Sequence, residues 1–163
     1  MPLAYIALGS NLGDRLGQMR QALAHLTGDF GVEILATSSV YQNRAVGMGE
    51  AAGDFLNAAA KVGCLLDPVD LLRACLSVEE QLGRVRSGHG WRSRTIDLDL
   101  LAYEGVTLNS EQLILPHPRI RERDFVAVPL AELAPELEIE GQRMSQIVAD
   151  LSCRELTLYP ERL

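Results

Sequence analysis

From Arg84 to Asp99 the chain reads Arg-Val-Arg-Ser-Gly-His-Gly-Trp-Arg-Ser-Arg-Thr-Ile-Asp-Leu-Asp. Four arginines and the only tryptophan, Trp91, share a glycine-broken stretch that runs directly into Asp97 and Asp99, two positions apart. Guanidinium forks match the oxygens of phosphate, and paired carboxylates offer hard oxygen donors to a divalent cation. Side by side, the two sets point to chemistry on a metal-bound polyphosphate.

In a strand starting at Thr95, Ile96, Leu98 and Leu100 take one face and Thr95, Asp97 and Asp99 the other, which spaces the aspartates ~7 Å apart. A polar face meeting water is the plain alternative. Aspartate is depleted in strands, however, and two like charges on one face repel. A bound cation offsets that repulsion. Mg²⁺ fits, because it keeps waters and is completed by substrate phosphates, and two ions sharing the carboxylates would suit phosphoryl transfer.

The arginines strengthen this reading. Arg84, Arg86, Arg92 and Arg94 have no acidic residue among them, so they repel unless anions are present. Gly83, Gly88 and Gly90 predict a lid that closes over a charged ligand. Trp91 is suited to stacking on a flat ring, or to anchoring the loop in the core. A second cluster, Arg119, Arg121 and Arg123, follows Leu115-Pro116-His117-Pro118, where His117 is held between prolines as a candidate ligand contact. Tyr41, Phe55 and Phe125 are candidates to line an apolar slot, although core packing accounts for each taken singly.

Other nucleotide signatures are missing. Lys61 is the only lysine, so a P-loop is excluded. Gly9-Ser10-Asn11-Leu12-Gly13 lacks the GxGxxG spacing of a dinucleotide site. The net charge of -7 argues against a general nucleic-acid binder. A local arginine site on an acidic chain favours a small anion instead.

At 163 residues and 47% hydrophobic content, the expectation is one domain, 1–163, with a normal core. Apolar runs fall short of the ~20 residues of a membrane span. The N-terminus has no signal-peptide pattern, and Cys64, Cys75 and Cys153 lack metal or disulfide spacing, so a cytoplasmic monomer with buried thiols is expected.

The elements that must position these groups follow from pattern. Leu3 to Leu8 predicts a buried strand, and Asp14 caps a helix to about Leu26. Val32 to Tyr41 predicts a strand, 42 to 53 a loop, and Asp54 to Cys64 a strand despite its alanines. Asp67-Pro68 starts a helix that Gly83 ends. Thr95 to Tyr103 is a strand, Leu113 to Pro118 is extended, and Asp124 to Leu133 is a short helix or an apolar turn. Met144 to Leu151 forms the last helix, with an edge strand over Leu156 to Tyr159. The order predicts an α+β, ferredoxin-like βαββαβ core: a mainly antiparallel sheet, helices on one face, and a C-terminal extension.

Read together, these segments resemble the 6-hydroxymethyl-7,8-dihydropterin pyrophosphokinases of folate biosynthesis. The resemblance runs from Ala4-Tyr5-Ile6-Ala7-Leu8-Gly9-Ser10-Asn11-Leu12-Gly13 to Ala134-Pro135-Glu136-Leu137. Its most specific part is Gly83-Arg84-Val85-Arg86 with Trp91-Arg92-Ser93-Arg94-Thr95-Ile96-Asp97-Leu98-Asp99. Ser38-Ser39-Val40-Tyr41, Asp54-Phe55-Leu56-Asn57-Ala58-Ala59 and Leu115-Pro116-His117-Pro118 support it.

The resemblance implies transfer of diphosphate from ATP to the pterin's hydroxymethyl group, releasing AMP. It implies that Asp97 and Asp99 hold two Mg²⁺ ions. Arg84 and Arg94 would contact the nucleotide and stabilise charge during transfer, while Arg86 and Trp91 belong to the mobile loop. The indole would close a pterin pocket in which Phe55 and Phe125 sandwich the ring and Asn57 reads its polar edge. Asn43, Arg44 and Val46 lie in the loop contacting the pterin, and Glu79, Ile114, His117 and Arg123 match positions lining the ATP site. Phe55 keeps the stacking surface of a tyrosine found there in the family. Ser87, Gln112 and Arg44 replace a lysine, an arginine and a proline.

Two rival classes make different demands. A metal-dependent nucleotide hydrolase would use the same charged groups without a pterin acceptor. An RNA-binding module would present aromatics and basic residues on the sheet, where here Asp97 and Asp99 stand.

Overall fold

The computed structural model describes residues 1–43, 54–83, 96–152 and 156–163. The first strand, β1 (Leu3–Ser10), is apolar on both faces, with Ala4, Ile6 and Leu8 alternating with Tyr5 and Ala7. Helix α1 (Arg15–Phe30) begins where Asp14 Oδ1 accepts the Gly17 N–H at 3.0 Å. A Cβ on Gly17 would sit 2.1 Å from Asp14 Oδ2, so the cap folds over a position that carries no side chain. The helix runs four residues past Leu26, to the left-handed Gly31 (φ 68°), which can close it without Cβ strain.

The expected strand over 32 to 41 is two strands, β2 (Glu33–Thr37) and β3 (Ser39–Asn43), and β3 extends into the expected loop. Both pair with β4 (Phe55–Gly63). The break is at Ser38. Its N–H donates to Ala59 O at 2.9 Å, and its Oγ accepts from Ala59 N at 2.8 Å. The alanines of β4 form strand because layers on both sides press on it. Ala58, Ala59 and Ala60 are all buried, and their size lets helices approach closely.

Helix α2 (Pro68–Gln81) starts as expected, with Asp67 Oδ1 accepting the Asp70 N–H at 2.9 Å and Pro68 in the first turn. Beyond it come β5 (Asp97–Tyr103), the short pair β6 (Leu108–Asn109) and β7 (Ile114–Leu115), and helix α3 (Asp124–Leu133). A second short pair, β8 (Glu138–Ile139) and β9 (Gln142–Arg143), leads to α4 (Met144–Asp150) and the edge strand β10 (Thr157–Arg162). The main sheet has the order β10-β3-β4-β1-β5, with β2 also on β4, and each of these pairings is antiparallel.

Helices cover both faces of this sheet, which corrects the expectation of one. Helices α1 and α2 pack on Ala4, Ile6, Leu8, Leu98 and Leu100. Helices α3 and α4 pack on the other side with Tyr5, Ala7 and Leu101. The reason is in β1: its second face is also apolar, and the C-terminal extension supplies the cover. Among the described residues no helix is long and apolar enough to cross a membrane.

Candidate active site

The site is assembled by strand register. On β1, Gly9 stands opposite Asn57 of β4 on one side and Asp97 of β5 on the other, and Asn57 is itself opposite Tyr41 of β3. Directly opposed residues of antiparallel strands share a face. Tyr41, Asn57, Gly9 and Asp97 therefore form one row across the sheet, on the α3 side. One row inward, Ala59, Ala7 and Asp99 are aligned; one row outward, Phe55 faces Asn43. With strands ~4.8 Å apart, Asn57 and Asp97 are separated by ~10 Å over the bare backbone of Gly9.

Asp97 and Asp99 are half-buried on the same face, as the alternation predicted. Their donors are oxygens alone. Among the described residues no three His, Cys, Asp or Glu side chains converge on one point. That donor set fits Mg²⁺, which takes one or two carboxylates and fills its other positions with water and phosphate, and does not fit a cation that needs a full protein cage.

Asn57 is buried at 6% exposure, and its Nδ2 donates to Asn43 Oδ1. The pairing orients both amides beside the half-buried Phe55. Phe125, in the first turn of α3, is half-buried on the layer that covers this face, and the Arg123 guanidinium lies 5.8 Å from its ring centroid.

Beside Asp99 opens a pocket of about 280 Å³, lined by Leu72, Gln112, Ile114 and His117 among others. His117 N donates to Leu101 O at 2.8 Å, and its Nδ1 accepts the Arg119 N–H at 3.1 Å. The neutral ring therefore carries its proton on Nε2. Burial, then the Arg123 and Arg119 charges, lower the His117 pKa against the opposing pull of Asp97.

Glu79, Arg121 and Arg119 each have protein partners of their own. Glu79 is 1% exposed, and its Oε1 accepts the Leu98 N–H at 3.4 Å. It braces β5 between the two aspartates and is not among the residues lining the pocket. Arg121 is tied to the β8–β9 pair: it donates to Gln142 Oε1 at 2.7 Å and to Ile139 O. Arg119 pairs with Glu122 at 2.9 Å. Of the second arginine cluster, Arg119 bonds His117 through its backbone N–H, and Arg123 sets its guanidinium against the Phe125 ring.

The expected positions of Arg84, Arg86, Trp91, Arg92, Arg94, Arg44, Val46 and Cys153 lie outside the described residues. Cys64 and Cys75 are buried core residues, and burial, with lesser help from Asp99, pushes the Cys75 thiol up to about 12. Two features escaped sequence reasoning: the gap at Gly9, and Glu132 of α3, which bonds Ser39 and Tyr41. Glu132 could have been noticed as an acid seven residues after Phe125, on the same helix face.

Comparison at the level of fold gives the class first. The chain is an α/β protein with an antiparallel sheet, similar to two solved structures. One is a Plasmodium falciparum HPPK-DHPS (TM-score 0.68, 13% identity), and the other is an HPPK-DHPS in complex with substrates (TM-score 0.69, 11% identity). Each match covers 91% of this chain and 45% of the other, so the chain spans less than half of their length. Sequence comparison is more specific. Residues 5–135 match the family model for 7,8-dihydro-6-hydroxymethylpterin-pyrophosphokinase. A 2-amino-4-hydroxy-6-hydroxymethyldihydropteridine pyrophosphokinase of Methylorubrum extorquens is 45% identical, over 93% of this chain and 94% of that one. One of Bacillus subtilis is 44% identical over 85% and 82%. The chain belongs to the 7,8-dihydro-6-hydroxymethylpterin-pyrophosphokinase family, and its activity is that of an ATP-dependent pyrophosphokinase of folate biosynthesis.

Proposed function

We propose that the face carrying Asn57, Gly9 and Asp97 holds the pterin and the triphosphate end to end for diphosphate transfer. The observation that carries this reading is the strand row itself, which sets the Asn57 amide and the Asp97 carboxylate ~10 Å apart with only Gly9 between them. Phe55 and Phe125 sandwich the pterin ring, and the Asn57 and Asn43 amides read its polar edge. Arg44 and Val46, which follow β3 in the chain, would contact the same ring.

Asp97 and Asp99 would hold two Mg²⁺ ions. When bound, these would gather the phosphate oxygens and offset the charge that develops during transfer. His117, with Nδ1 committed to Arg119 N–H, presents Nε2–H as a donor towards the nucleotide, beside Ile114 and Arg123. Glu79 keeps β5 in place behind the aspartates. Arg84 and Arg94 stabilise charge on the transferring group, while Arg86 and Trp91 would act with them in excluding water from the reacting groups.

In the reaction, the pterin's hydroxymethyl oxygen forms a bond to the β-phosphorus of ATP. The bond between that phosphorus and the oxygen bridging to the α-phosphorus breaks, AMP leaves, and the hydroxyl proton passes to solvent. Positioning and electrostatics carry most of the catalysis, as is usual for phosphoryl transfer. The sheet order supports a ferredoxin-like βαββαβ core in which β2 and β3 together act as its second strand. Within this reading, residues 1–163 form one domain that works as a cytoplasmic monomer on small molecules.

The test is incubation with MgATP, with and without the reduced pterin. AMP should form only when the pterin is present. Nucleotide cleavage without the pterin would mark a hydrolase, and absence of any turnover would mark a binding module.

A further inference from the structure

Glu132 occupies the last turn of α3 and joins three elements. Its Oε1 accepts the Ser39 N–H at 2.9 Å and the Ser39 hydroxyl at 2.8 Å. Its Oε2 accepts the Tyr41 hydroxyl at 2.7 Å, and Arg162 of β10 stands 3.6 Å from Oε1. Burial opposes the charge on Glu132, but the Tyr41 and Ser39 bonds and Arg162 outweigh it, so its pKa lies below the ordinary value. Hydrogen bonds to an ionised acceptor are the strong ones, and three here converge on one carboxylate.

The placement of these bonds relates to the slot. Ser39, Tyr41 and Asn43 share the face of β3 that carries the site, since Tyr41 is opposite Asn57 and Asn43 is opposite Phe55. On α3, Phe125 and Glu132 are seven residues apart, two turns on one helix face, or ~10.5 Å along the axis. On β3, Asn43 lies ~7 Å beyond Tyr41 and ~13 Å beyond Ser39. The helix span falls midway between the two strand spans, as suits a carboxylate bonded to both Ser39 and Tyr41. Running alongside β3, a helix pinned at Ser39 and Tyr41 would carry Phe125 to the level of Asn43 and Phe55.

We infer that Glu132 is a positioning residue for the pterin slot: by pinning α3 to Ser39 and Tyr41, it sets the gap between Phe55 and Phe125. This rests on the proposed reading of those two rings as the pterin's sandwich. Glu132 touches neither substrate, and its effect passes through the helix to the ring of Phe125.

The consequence separates the substrates. Glu132→Ala frees the far end of α3 and should raise the KM for the pterin about tenfold, with the KM for ATP within about twofold of wild type. Glu132→Gln should recover most of the loss, because its amide oxygen can accept both Ser39 bonds. Tyr41→Phe, which keeps the Ser39 bonds, should raise the pterin KM about threefold. Circular dichroism establishes that each variant is folded.

Folded Glu132→Ala with a wild-type pterin KM would overturn the inference, as would equal rises in both KM values. Should Glu132→Ala fail to fold, Tyr41→Phe decides, and an unchanged pterin KM there overturns it. Wild-type enzyme that makes no AMP with the pterin present would overturn the proposed function and this inference together. An altered Glu132→Ala with active wild type concerns the inference alone.

Discussion

A Cβ placed on Gly9 would lie 3.3 Å from Asn57 Oδ1. Such a contact is tight enough that the amide must yield by a few tenths of an ångström, and Asn57 is already held by Asn43. Gly9→Ala should therefore disturb the pterin end of the site while sparing the fold. Alanine in a strand interior recovers about 0.5–1 kcal/mol of backbone entropy relative to glycine, so thermal stability should hold or rise. The pterin KM should increase about tenfold, since small displacements of positioning groups are costly. Steady-state kinetics beside a melting curve checks this, and lost stability with an unchanged pterin KM would contradict it.

The cap of α1 gives a second prediction, on stability. Asp14→Ala should cost about 1 kcal/mol through the lost bond to Gly17 N. Gly17→Ala alone should yield little, because its gain in helix propensity, about 1 kcal/mol, is offset by displacing the Asp14 carboxylate from 2.1 Å. Once Asp14 is alanine the obstruction is gone, and Gly17→Ala should stabilise by nearly its full propensity. Urea denaturation of the double-mutant cycle measures the coupling. Additive effects would show that the cap does not sit over Gly17.

His117 should make stability depend on pH below neutrality. Its folded pKa is lowered from 6.5 by burial first and then by Arg123 and Arg119. As pH falls below 6.5 the unfolded chain takes up the proton first, so it binds more protons than the native state and stability falls. The contribution is fully present above 6.5 and is lost as pH drops through the lowered folded value. Protonation also removes the acceptor for Arg119 N–H. Wild type should lose more stability than His117→Gln on going from pH 7 to about pH 5. Parallel denaturation midpoints for the two proteins would refute the shift.

Much of this was legible in the chain, for identifiable reasons. Alternation placed Asp97 and Asp99 on one face, and Asp14, Asp67 and Pro68 marked helix starts through caps that need only local chemistry. The strand at 55 to 63 was readable from its borders, although its alanines favour helix; burial on both sides decides it. What stayed hidden depends on register. Only the pairing of β1 with both β4 and β5 makes Gly9 the space between Asn57 and Asp97. Only tertiary packing shows that Arg121 is spent on the β8–β9 pair, and that α3 and α4 cover the second face. The split of the second strand at Ser38 is a one-residue insertion that periodicity smooths over.

The account turns on Asp97 and Asp99 as the groups that bring the metal-bound triphosphate to the pterin. The direct measurement is AMP formation with saturating MgATP and reduced pterin, comparing wild type with folded Asp97→Ala and Asp99→Ala across a Mg²⁺ titration. Wild type should release AMP only as Mg²⁺ is added, one for each diphosphorylated pterin. Each variant should fall by roughly a thousandfold or more, as expected for loss of a group that stabilises transition-state charge. A variant within about tenfold of wild type at saturating Mg²⁺ would contradict the assignment.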